Sequence, residues 1–215
     1  MLRDTNLEIL AFSSMSLQAC HQGRPRDGLD LARAAQERAA RIGSPVLQSL
    51  IAAREARALT LLGDGTPAGK RLADAIRLID CKAHGRPSPD WAAFHGPAEL
   101  EYFQALMYAE LGSHGRAAQF LRAALIHQET SYGRNRALYR LTLAKALVDA
   151  GEVDEAAEHA VKSLEHLEEV ESGRVARKLR EITGALRGID ADSARQTVAT
   201  LDEHAHTRGA AQWQS

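Results

Sequence analysis

Aromatic side chains make up only 5% of the 215 residues, and Ile and Val number 8 and 7. A β-sheet draws on those types, so their scarcity excludes a sheet-built fold. Cysteine is almost absent. Cys20 and Cys81 lie far apart in sequence and match no metal spacing, which predicts two reduced thiols in a cytoplasmic chain. No stretch approaches the ~18 to 20 apolar residues of a membrane-spanning helix. The run Leu17-Gln18-Ala19-Cys20 imitates a lipoprotein cleavage box, but Asn6 and Glu8 interrupt the apolar region before it and Met-Leu-Arg-Asp carries no net positive charge, so export is not expected. A formal charge of -1 leaves little general attraction for a phosphate backbone. Arg174, Arg177, Lys178 and Arg180 alternate with Glu169, Glu171 and Glu181, the pattern of a solvated helix face.

What is abundant is alanine, with 39 residues. It is the best helix former, and a composition of 45% hydrophobic and 26% charged residues fits a globular chain. An all-α fold follows. Lys accounts for 5 of the 27 basic residues and Arg for the other 22, which with the Ala excess points to a GC-rich bacterial coding sequence.

The small residues recur in register. Around Gly23, Gly63, Gly112 and Gly151, the positions seven before are Ser16, Ala56, Ala105 and Ala144. Those five after are Gly28, Ala68, Ala117 and Ala156, and those twelve after are Ala35, Ala75, Ala124 and Ser163. A Gly just past a helix accepts the left-handed conformation that ends it. Small side chains on both sides let the two flanking helices approach. The pattern predicts antiparallel helix pairs: 6-22 with 25-42, 45-62 with 67-82, 98-111 with 114-130, 134-150 with 153-171, and 174-187 with 191-206. The anchors stand 40, 49 and 39 residues apart, and the longest interval holds an irregular connector over 84–97, with three Pro. The expected domain spans 1–206. Its last pair, 174–206, lacks the Gly anchor and reads as a polar cap, and 207–215 as a flexible tail.

Leu62-Gly63-Asp64, Leu111-Gly112 and Ala150-Gly151-Glu152-Val153-Asp154-Glu155-Ala156 resemble the tetratricopeptide repeat. That resemblance implies a right-handed superhelical α-solenoid of about five pairs. A closer likeness rests on Gly23-Arg24-Pro25-Arg26 with Leu31-Ala32-Arg33-Ala34-Ala35, on Ala53-Arg54-Glu55-Ala56-Arg57-Ala58-Leu59, and on Asp90-Trp91-Ala92-Ala93-Phe94 leading to Ala98-Glu99-Leu100. Over residues 7 to about 200 the chain resembles the sensor region of actinobacterial XRE-type helix-turn-helix regulators. In that family an acid follows the aromatic pair, where His95-Gly96 stands here. The family also carries a DNA-binding domain and a further helical pair ahead of this region, so DNA would be reached only through an absent or separate helix-turn-helix module. The first pair is then expected to expose Leu7, Leu10, Met15 and Leu17, and a homodimer through that pair is expected.

In the tetratricopeptide family the first helix of each pair lines a groove. Carried over through the Gly anchors, the groove positions are Leu17, Cys20 and His21, then Ala53, Arg57 and Thr60, then Tyr102, Leu106 and Ala109, then Leu141, Lys145 and Val148. The core of that set is Leu17, His21, Arg57, Tyr102, Leu106 and Lys145, with Trp91 and Phe94 as a lid or as pins for the connector. An apolar floor with a few cations suits a peptide, a protein tail or a small acyl-type ligand, Arg57 offering a bidentate fork and Lys145 a point charge. The competing expectation is that both cations pair with Glu99, Glu110 or Asp149. No cofactor, metal or catalytic residue is expected. His159 and His166 stand about two turns apart, too far to share an ion, and His204 with His206 sits near a helix end. No phosphate loop, His-Glu-x-x-His run or nucleophile elbow is present. A ligand-sensing domain and a plain docking scaffold remain the two readings.

Overall fold

A computed structural model of the chain describes residues 5–81, 86–128, 133–167 and 173–212, with side chains to 207. Every regular element among the described residues is helical: α1 (Thr5–His21), α2 (Pro25–Ile42), α3 (Pro45–Leu61), α4 (Gly65–Asp80), α5 (Pro97–Glu110), α6 (His114–His127), α7 (Gly133–Ala150), α8 (Val153–Lys162), α9 (Gly173–Arg187) and α10 (Asp192–Gln212), with 3-10 turns at Asp90–Ala92 and Leu164–His166. The chain divides into two compact units, Met1–Gly112 and Ser113–Ser215.

Chain reversals carry the signature of their sequence. Gly23, Gly63, Gly112 and Gly151 all take positive φ, between 71° and 84°, where a Cβ would be strained. Gly43 does the same between α2 and α3. The twelve small residues set around the four anchors are all buried. At Gly28 the reason is visible, because a Cβ there would stand 2.6 Å from Cys20 Sγ and 3.0 Å from the Ser16 carbonyl. Ser16 Oγ donates to the Gly28 carbonyl at 2.7 Å, so the small hydroxyl stitches α1 to α2 at their closest approach.

In the first unit α3 touches α1, α2, α4 and α5. It is therefore buried around most of its circumference, including the charged Arg54 and Glu55. Glu55 accepts from Arg71 Nε of α4 at 2.7 Å and faces Arg33 Nε of α2 at 3.6 Å, tying three helices through one carboxylate. One apolar cluster joins Ala52, Ala53 and Ala56 of α3 to Leu72 and Ile79 of α4 and to Leu100 and Phe103 of α5. In the second unit α7 holds the corresponding place, touching α6, α8 and α9 and burying Tyr139, Leu141, Leu143 and Leu147.

Three boundaries differ from the sequence reading. The helix expected over 153–171 ends as α8 at Lys162, where Ser163 Oγ bonds back to the Ala160 carbonyl at 2.7 Å and the chain tightens into the turn Leu164–His166; residues 168–171 lie outside the described ones. The last helix runs on to Gln212 rather than stopping at 206, as its Pro-free sequence allows. The connector is described from Arg86 onward, and its residues 84 and 85 lie outside the described ones.

Candidate functional site

The cation expected at the centre of the first unit is Arg57. Its side chain is 14% exposed, and Nη1 donates to Glu110 Oε1 at 3.1 Å, linking α3 to α5. Its Nε is buried without an acceptor. Beside it lie Arg54 and the Cys20 thiol, whose pKa is raised by burial and pulled back by the two arginines. Arg54 stacks on the Phe103 ring at 5.2 Å and faces Glu99 Oε1 at 3.8 Å, both partners largely buried.

Around this centre the sequence-expected lining divides. His21 is exposed, Leu17 and Leu106 are half-buried, and Tyr102 is buried. Cys20, Ala53 and Thr60 also lie in the interior, Ala53 within the apolar cluster between α3, α4 and α5. A helix packed on nearly all sides has few positions left to line a groove, so the family's spacing marks interior as well as surface here. Leu7 and Met15 are 60% and 50% exposed, with Leu10 and Leu17 half-buried, leaving an apolar flank on α1. A shallow cavity of about 510 Å³ lies beside it, lined by Met15, Gln18, Arg24, Asp27, Asp30 and Leu31 among others.

Trp91 packs against the buried cluster that includes Leu47 and Ile51 of α3 and Ile9 of α1. Leu47 and Arg57 are ten residues apart on one helix, roughly 15 Å along its axis. The packing of Trp91 is what a residue pinning the connector would show. Phe94 is half-buried and edge-on to His95, with ring centroids 6.5 Å apart.

His95 is the residue that sequence reasoning passed over. It is buried, with Nε2 2.9 Å from Ser49 Oγ. Ser49 Oγ donates to the Ala75 carbonyl at 2.7 Å, which uses its one hydrogen. The imidazole Nε2–H must then donate to Ser49 Oγ, leaving Nδ1 as a bare acceptor with no partner. Burial, with Arg54 adding to it, holds the ring neutral by pushing its pKa down to about 3. Its sequence signal is a His directly after Trp91 and Phe94, where the resemblance noted above implies an acid. An acid there would meet Ser49 without a proton to give.

No protein-family model and no curated protein matches this chain.

In the second unit Lys145 Nζ donates to both carboxylate oxygens of Asp149, at 2.5 and 2.6 Å, one turn along α7. Leu141 is fully buried and Val148 half-buried. His114 Nδ1 approaches the same carboxylate at 3.8 Å. Arg57 and Lys145 thus each hold a carboxylate of their own unit. Among the described residues no three His, Cys, Asp or Glu side chains are grouped to hold a metal, and no helix is long and apolar enough to cross a membrane.

Proposed function

We propose that the chain is a tetratricopeptide-like right-handed α-solenoid serving as the ligand- or peptide-sensing region of a bacterial XRE-type regulator, with no enzymatic activity of its own. Supporting this reading are the left-handed Gly at each anchor and the buried small residues in register around them. Contacts α1 to α3 and α3 to α5 are those expected when the first helices of successive pairs stand side by side. The observation that carries binding is Arg57, a guanidinium with a buried, unfilled Nε–H next to a displaceable, 44% exposed Glu110. A ligand carboxylate taking Glu110's place would gain a bidentate contact, with the apolar part of a peptide end or acyl chain over Leu17 and Leu106.

Native mass spectrometry of the protein purified from its own host should show a carried ligand, and replacing Arg57 and Lys145 together by Met should strip it. Unchanged occupancy in that double variant would remove the assignment. A docking scaffold without a switch is the second reading, favoured by the fact that both cations already hold carboxylates. A regulator needs a ligand with unequal affinity for two shapes, so binding that leaves the solution scattering curve unaltered would favour the scaffold. The open flank of α1 is the surface through which two copies would pair, and a strictly monomeric mass in sedimentation at tens of micromolar would dispose of that pairing.

A further inference from the structure

The second unit contains a group of cations that the proposed groove does not use. Gly133, Arg136 and Arg140 stand at i, i+3 and i+7 on α7, so they form one stripe along a single face. Two histidines bracket it. At the upper end the turn Leu164–His166 packs on α7, with the His166 carbonyl 4.0 Å from where a Gly133 Cβ would be. At the lower end Arg140 Nη1 lies 3.3 Å from His159 Nδ1 of α8. Since a guanidinium can only donate, His159 Nδ1 accepts and its proton sits on Nε2, which faces Glu155 Oε1 at 3.5 Å.

Neither arginine has a carboxylate partner among the described residues. Arg136 Nη1 donates to the carbonyls of Gln128 at 3.0 Å and Leu125 at 3.5 Å, at the end of α6. Arg140 Nε and His166 Nε2 are both buried and have no hydrogen-bond partner. The acids nearby on α8 are engaged elsewhere, Glu155 by Arg122 at 2.6 Å and Glu158 by Lys162, while Glu165 is exposed on the turn itself. Some other cations of the unit do have carboxylate partners, as with Lys145 and Asp149 or Arg187 and Asp202. Two half-buried guanidiniums one turn apart, one of them with a buried unfilled Nε–H, are costly unless an anion joins them.

We propose that Arg136, Arg140 and His166, with His159 orienting Arg140, form a binding site for a phosphoryl group, free or carried as a small phosphate monoester. Donors reaching in from two successive turns of α7 and from the turn Leu164–His166 suit a tetrahedral oxyanion better than a flat carboxylate. Guanidinium and imidazole N–H groups are the side chains that make such charge-assisted bonds. The bound anion holds the His166 imidazole toward its protonated form, against the burial and the neighbouring Arg140 and Arg136 that lower its pKa, while His159 stays neutral with Nδ1 accepting from Arg140.

The test follows the His159 and His166 ring signals by NMR in the full chain during titration with inorganic phosphate and, separately, glycerol phosphate, at constant ionic strength kept with chloride. Saturable shifts of both ring signals with a rise in the His166 pKa are expected, and Arg140→Gln should weaken binding roughly tenfold or more. Arg136→Gln gives a second reading should the first variant fold poorly. Saturation by phosphate alone marks a free-anion site, and tighter saturation by the monoester marks a phosphorylated ligand. No saturation by about 10 mM of either probe, or a response equal to that of chloride, overturns the proposal, as does unchanged affinity in both variants.

Discussion

The helices α3 and α7 occupy matching places in their units, each gripped by its neighbours, yet they treat buried cations in opposite ways. On α3, Arg54 has Glu99 and the Phe103 ring, and Arg57 has Glu110. On α7, the partners of Arg136 and Arg140 among the described residues are backbone carbonyls and an imidazole. The same packing position thus hosts a carboxylate-paired network, closed but for buried donors such as Arg57 Nε, in the first unit and, among the described residues, an open one without carboxylates in the second. A closed network reports on stability, because removing one partner strands the other. An open one reports on binding when, as proposed for Arg136 and Arg140, an added anion supplies the partner.

The largest expected effect tests that contrast. Arg54→Met removes a guanidinium that faces Glu99 and stacks on the Phe103 ring in a buried site, and breaking a buried pair from one side costs about 3 kcal/mol or more. Arg140→Met strands no carboxylate and relieves repulsion from Arg136, so it should change stability by no more than about 0.5 kcal/mol. Urea unfolding of the two variants decides it: equal losses would erase the distinction between the helices.

Acid should separate the units next. His95 titrates near 3 in the folded chain against about 6.5 when unfolded. Between those values the unfolded chain binds more protons, so stability falls as pH falls. From neutral pH to about pH 5 the loss through His95 is about 2 kcal/mol. His159 and His166 are also lowered, and contribute with the same sign but less, being only half-buried. His95→Gln keeps an N–H for Ser49 and should flatten most of the acid loss in the first unit. Hydrogen exchange resolved by unit at the two pH values measures this, and an equally steep acid loss in that variant would show that His95 is not its source.

Much of the helical layout was legible in the sequence because it is written in local chemistry. A left-handed Gly, a Pro opening α2, α3 and α5, and small residues at fixed distances from Gly23, Gly63, Gly112 and Gly151 act within one turn or one crossing. The sites were less legible, for two physical reasons. Groove positions depend on which side of a helix stays open, and α3, packed by four helices, closes over Ala53 and Thr60. Partnership between charges depends on long-range geometry, so the spacing of Arg136 and Arg140 was visible but their lack of carboxylates was not. His159 and His166 were read as a failed metal pair. They instead stand at the two ends of an arginine stripe from another helix, a relation no spacing within α8 could express.

The smallest effect sharpens the same comparison from the other side. Glu110→Gln opens the network at Arg57, making α3 resemble α7. Since Glu110 is 44% exposed, its pair with Arg57 is screened, and the loss in stability should stay below about 1 kcal/mol. What should change is binding. With its competitor neutral, Arg57 presents Nη1 and the unfilled Nε together, so affinity for a carboxylate probe such as octanoate should rise, while Arg57→Met should abolish the gain. The rise should be absent from Asp149→Asn in the second unit, because Lys145 offers a single ammonium on a free stem and no planar fork to complete. Calorimetry with octanoate on the three variants is sufficient: an equal rise in Glu110→Gln and Asp149→Asn would mean that net charge, and not the geometry of the guanidinium on α3, sets the affinity.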